Sequence, residues 1–161
     1  SAASVAAGAA IFQILRNTER NSDHLTVVRQ IENAGAWISH DAQMALSVNA
    51  TNLTSPVFLS LSWTENAASS QPTYSSTNYT IENVNGVSTL KRKQVSTTGT
   101  AVTANVTTFI AQYIYYDPSD TVNSSNVSYQ SSVLTVKLTS RIGEILETKQ
   151  YIIRRRPNTL G

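Results

Sequence analysis

The chain has 161 residues, 40% of them hydrophobic, which is enough for one domain with a buried core, and it carries no cysteine. Disulfide frameworks, thiolate zinc sites and thiol nucleophiles are excluded together. Twelve Lys and Arg against ten Asp and Glu leave a net charge of +2, and 14% charged residues do not make a polycationic surface, so no nucleic-acid partner is expected.

Ser and Thr supply 41 residues and Asn 13, a small, polar bias common in exported β-rich proteins. The N-terminal stretch "SAASVAAGAAIFQIL" (1–15) is apolar or small on every side, so a helix built from it has no solvated face. It is shorter than the ~18 apolar residues that span a bilayer, and no basic region precedes it as in a signal peptide. It reads as the end of a longer hydrophobic helix, with Val5, Ile11, Phe12 and Leu15 as its apolar contacts. A small-residue core helix, or the remains of a signal peptide and tag, is the alternative.

From Arg16 the chain turns polar, and "RNTERNSDH" (16–24) places Arg16 three residues before Glu19 and Arg20 before Asp23 and His24, all helix-surface neighbours. No proline occurs in residues 1–55, so one helix over about 3–48 is expected, with a bend near the weak helix formers Asn17, Asn21 and Ser22. Residues 1–22 form a stub and bend, and 23–161 a globular head. Apolar or small residues then recur at Leu25, Val28, Ile31, Gly35, Ile38, Ala42 and Ala45, three or four apart, defining one face for packing against a sheet. Gly35 either admits another element at close range or sits untroubled on the helix. His40 and Asp41 are adjacent and diverge by about 100° on a helix, which leaves them a solvated face rather than a catalytic pair. Trp37 and Asp41, four apart, are placed for an indole N–H to carboxylate contact or for a capping contact to the next segment.

After residue 48 the period changes to two. "VFLSLSW" (57–63) sets Val57, Leu59, Leu61 and Trp63 on one side of a strand. "NYTIENVNGVSTLKRKQV" (78–95) carries Asn85-Gly86 between two strand-like runs, the dipeptide favoured by a type I′ hairpin turn. "TTFIAQYIYYD" (107–117) is β-branched and aromatic throughout, a strand expected to be covered on both faces. "SVLTVKLTSRIGEILETKQYIIRRR" (132–156) is a second hairpin turning at Ile142-Gly143. Three Ser/Thr/Asn-rich stretches, 64–77, 96–106 and 117–131, are expected to be mobile loops. The predicted fold class is α+β, one long N-terminal helix packed on an antiparallel sheet.

Chemistry-bearing patterns are sparse. His24 and His40 are the two histidines and lack metal-ligand spacing, so no metal and no cofactor are expected. No Gly-x-Ser-x-Gly elbow, Ser-x-x-Lys motif or phosphate-binding glycine loop is present. "DPSDTVN" (117–123) gathers Asp117, Asp120 and Asn123, oxygen ligands of the type calcium accepts. Without the glycine and terminal glutamate of a calcium loop it reads first as a turn. The basic triplets Lys91-Arg92-Lys93 and Arg154-Arg155-Arg156 read as edge-strand protection, with an acidic partner or lipid headgroups as the alternative.

The hydrophobic stub, the continuation "VRQIENAGAWISHDAQMAL", a cysteine-free antiparallel sheet, Leu90-Lys91-Arg92 on the hairpin strand and an aromatic strand ending at Asp117 together resemble type IV pilin-like proteins. Among these the order of segments looks most like the J-type minor pseudopilins of type II secretion. The resemblance implies a structural filament subunit, not an enzyme, with no small-molecule substrate. Its partners would be other pilin or pseudopilin subunits and the inner membrane, reached through the N-terminal helix. Its location would be the cell envelope, the head outside the cytoplasmic membrane, and an extracellular filament. The resemblance also implies that roughly the first half of the membrane helix, with its Phe-Thr-Leu-type start and assembly glutamate, precedes Ser1. Two other readings stand beside it. One is an exported β-rich binding or adhesion module using Tyr113, Tyr115, Tyr116 and Trp63 as stacking surfaces. The other is an envelope enzyme using His40, which requires a carboxylate or hydroxyl from the sheet within hydrogen-bond reach.

Overall fold

A computed structural model describes residues 2–155, with side chains from residue 13 onward. Helix α1 runs over Ala2–Met44. At 1.5 Å per residue that is about 65 Å of continuous helix. It passes without interruption through 16–24; Thr18 within this stretch and Thr26 just beyond it donate their hydroxyls to the carbonyls of Ile14 and Ser22 one turn back, so these short polar side chains bond to the helix's own backbone.

Eight strands follow among the described residues. They are β1 (Ser47–Asn49), β2 (Val57–Glu65), β3 (Thr73–Val84), β4 (Val87–Thr98), β5 (Ala101–Gln112), β6 (Asn126–Gln130), β7 (Val133–Ile142) and β8 (Ile145–Arg154). They form two antiparallel sheets, ordered β1-β2-β3-β4-β5 and β6-β7-β8. The expectation of one helix on one sheet in a pilin-like arrangement is thus overturned: the molecule is β-rich, with a five-stranded and a three-stranded sheet. The break has a local cause. Beyond β5 the chain turns at Tyr113, whose φ is 59°, and a single bridge, Ile114 to Ser140, replaces a continuous ladder. The segment still stitches the sheets together. The Ile114 N–H donates to the Ser88 carbonyl on β4, whereas the Tyr115 N–H donates to the Thr139 carbonyl on β7.

The helix lies against β7 and β8 of the small sheet and against β5 and β2 of the large one. Its buried face consists of Val27, Ile31, Ala34, Gly35, Ile38, Asp41 and Ala42, and Ala45 is buried just past its end. Ile31, Gly35, Ile38 and Ala42 lie in the packing stripe expected of them, and Val28 is half-buried at its border. Leu25 needs correction: it is 55% exposed, because the sheets begin to cover the helix at Val27 on a neighbouring azimuth. Leu59, Leu61, Tyr79, Leu90, Leu134, Val136 and Leu138 meet this face from both sheets, each fully buried aliphatic contributing roughly 1.5 to 3 kcal/mol.

Of two polar stretches expected as loops, 64–77 is half strand and 96–106 is largely strand. Residues 73–77 and 96–106 form the far ends of β3, β4 and β5, where the Thr73 and Thr98 hydroxyls lie 2.7 Å apart and those of Ser75 and Ser96 2.8 Å apart. Cross-strand hydroxyl pairs of this kind hold a sheet together without apolar bulk. In 117–131, residues 126–130 form β6. The 107–117 segment is corrected too. Its strand ends at Gln112, and Phe109 is 65% exposed, so one face is uncovered. The Asn85-Gly86 turn takes positive φ at both residues, 51° and 85°, as a type I′ turn requires.

Candidate functional site

The polar cluster with the most concentrated interactions sits where the last turns of α1 cross the large sheet. Asp41 is 1% exposed. Its Oδ2 accepts from Arg92 Nε at 2.6 Å and its Oδ1 from Arg92 Nη2 at 3.0 Å, a bidentate fork. The Tyr79 hydroxyl adds a third bond to Oδ2 at 2.5 Å. Tyr79 and Arg92 are register partners on β3 and β4, so the sheet presents both to the same point on the helix. On the helix side the guanidinium lies 5.3 Å from the Trp37 ring centroid, a cation–π contact. Trp37 therefore reaches Arg92, and the carboxylate contact expected of its indole is made by Trp63 instead, which donates to Glu65 at 3.0 Å.

Burial, then the neighbouring Asp41 charge, push the Tyr79 phenol far above its ordinary range. Burial opposes the charge on Arg92, but the hydrogen bond and charge of Asp41 more than offset it and hold the guanidinium protonated. The unfolded chain releases a Tyr79 proton near pH 10 and the folded chain keeps it, so this group's stabilisation falls as pH rises above 10. Between pH 9 and 11 the unfolding free energy of the native protein is expected to drop by about 1.4 kcal/mol more than that of Tyr79→Phe. Parallel urea titrations at the two pH values check this, and equal drops would disprove it.

This constellation fastens helix to sheet, and its carboxylate has both oxygens occupied. Beside it His40 is 70% exposed, and the carboxylate within 4.0 Å of it is the same engaged Asp41, at 3.7 Å. Among the described residues no carboxylate or hydroxyl from the sheet is hydrogen-bonded to that imidazole. Among the described residues no group of three or more His, Asp or Glu stands together as metal ligands.

The 117–123 loop uses its carboxylates on itself. Asp117 Oδ1 accepts from the backbone N–H and hydroxyl of Ser119, and Asp120 Oδ1 accepts from the N–H groups of Val122 and Asn123. These bonds hold both carboxyls below their usual range. Of the aromatics considered as stacking surfaces, Trp63 is buried and Tyr113 half-buried. Tyr115 donates to Asp120 beneath Arg141, and Tyr116 stands edge-on to Phe58, so the four do not converge on one cleft. The basic triplets separate as well. β4 is an interior strand, so Lys91-Arg92-Lys93 protects no edge: Lys91 pairs with Glu82 at 2.7 Å while Arg92 points inward. At the end of β8 Arg154 is exposed, and Arg155 just beyond the strand donates to the Tyr129 hydroxyl; Arg156 lies outside the described residues.

The N-terminal half of α1 is the other candidate. Residues 13–22 are all exposed, including Ile14 and Leu15. They run beside the β7–β8 turn at Ile142–Ile145, and a groove of about 530 Å³ opens between them. The side chains of Val5, Ile11 and Phe12 lie outside the described residues. No helix among the described residues is long and apolar enough to cross a membrane. Comparison with protein-family models, curated proteins and solved structures finds no match to this chain.

Proposed function

We propose that the protein is a structural subunit that assembles through its N-terminal helix, a minor pilin or pseudopilin of a type IV pilus or type II secretion filament, and not an enzyme. One observation carries the reading. A single helix has a buried face in the head from Val27 to Ala42 yet leaves every residue of 13–22 exposed, with Ile14 and Leu15 uncovered. Ile14 and Leu15 are the described end of a stretch, 1–15, that is apolar or small all round in sequence, and apolar helix surface of that kind suits lipid or neighbouring helices. The sheet arrangement does not enter into this reading. Its consequences are a cell-envelope location, anchoring in the inner membrane through the helix, and other subunits of the same machine as partners.

Removing residues 1–22 tests it. The remaining chain is expected to fold with its melting temperature within a few degrees of the parent and to lose association with phospholipid vesicles and with other subunits. Loss of the cooperative unfolding transition would make the stub part of the core and end the proposal.

A further inference from the structure

Strand β5 is the outer edge of the large sheet, and over Ala101–Gln112 it contains neither a charge nor a proline. The other edges are managed. β1 is three residues long, β6 is five, and β8 carries Glu147, Lys149 and Arg154 and lies against the helix. The open part of β5 is bounded at both ends. Toward its C-terminus the helix caps the edge: the Asn33 amide donates to the Ile110 carbonyl, and the Gln112 N–H donates to Gln30 Oε1 at 2.7 Å. Register shifts leave Ile110 and Thr103 as extra residues on this strand. Between those bulges Ala104–Phe109 is regular, and Val106 and Phe109 are 54% and 65% exposed.

We infer that this segment pairs antiparallel with the same segment of a second copy, joining two five-stranded sheets across a two-fold axis. The occupant follows from self-complementarity. A charge at or beside the axis would lie close to the like charge of its own copy, and the strand has none. Antiparallel pairing joins residues of equal hydrogen-bonding phase, so the axis passes through a residue and not between two. Centring it on Val106 places that exposed valine against its own copy, Asn105 opposite Thr107 and Ala104 opposite Thr108. Every pair is then small, β-branched or hydrogen-bonding. The contact is isologous and closed. It is separate from assembly through the N-terminal helix and stands if that assembly fails.

The absence of cysteine allows a direct test on the full chain. Val106→Cys places two thiols opposite each other across the axis, with Cβ atoms about 5 Å apart, close enough to bridge with a small adjustment. Under mild oxidation it is expected to form a disulfide dimer about tenfold faster than Val122→Cys, a more exposed thiol on a loop. Adding Asn105→Lys and Thr107→Lys, which oppose like charges, is expected to abolish the gain. Adding Asn105→Lys and Thr107→Asp, which oppose unlike charges, is expected to keep it and controls for folding. Equal rates for the two cysteine variants, or cross-linking indifferent to the charge pair, would overturn the inference. Association through the helix alone would give that second outcome.

Discussion

Replacing Arg92 with methionine is expected to lower the unfolding free energy by about 3 to 5 kcal/mol, the range for breaking a buried ion pair by removing one partner. The carboxylate of Asp41 is 1% exposed and would keep the Tyr79 hydroxyl as its one buried donor in place of three bonds. The loss is dominated by the stranded charge and not by the attraction between the partners. The double variant Asp41→Leu with Arg92→Met removes that charge and is expected to recover most of the loss, since similar-sized apolar residues often replace a buried pair at little net cost. Urea titration of the two variants decides the matter. A loss below about 1 kcal/mol for Arg92→Met would mean that water reaches Asp41 and that the staple is not a closed one.

The second large effect belongs to Gly35. A Cβ built there runs into the ring of Tyr151, well inside van der Waals contact. The ring is not free to swing aside, because its hydroxyl donates to the Ile31 carbonyl at 3.3 Å and Lys149 lies over its face at 5.3 Å. Gly35→Val is therefore expected to cost about 2 to 3 kcal/mol, overpacking outweighing the few tenths that valine gains over glycine in a helix. Combining it with Tyr151→Ala is expected to return part of the loss, since the obstruction goes although the cavity remains. Thermal unfolding of the single and double variants measures the coupling. A Gly35→Val protein that melts as high as the parent would show the ring to be displaceable.

These two results bear on the same structural question, how one helix is held to two sheets. Small residues let α1 approach the small sheet closely at Gly35, and the Asp41–Arg92 fork fixes it to the large sheet. The head then holds the second half of the helix rigidly while residues 13–22 remain outside it. On β5 the same helix sets the limits of the open edge, since Gln30 and Asn33 cap one end of it.

Much of the local structure was legible in the chain. Period-three-and-four spacing marked Ile31, Gly35, Ile38 and Ala42 before any packing was known, and alternation marked Leu59, Leu61 and Trp63. The staple was half legible. Leu90 and Arg92 have the same parity on a strand, so a buried Leu90 required an inward Arg92, yet the charge triplet drew attention to the edge instead. Asp41 gave no such signal, because a carboxylate beside a histidine on a helix reads as surface until its partner is known. Ser- and Thr-rich stretches misled for a related reason: hydroxyl pairs such as Thr73 with Thr98 exist only once two strands are in register.

By itself, then, the sequence determined the periods, the long proline-free helix, the Asn85-Gly86 turn and the chain's lack of thiol chemistry, all properties of residues near one another along the chain. Only the tertiary structure decided that the strands divide into two sheets, that β5 is an open edge and that Asp41 is buried against a residue 51 positions away. The reason is physical. Backbone preference and hydrophobic period act over a few residues, whereas the burial of a charge is settled by which distant donor arrives to meet it.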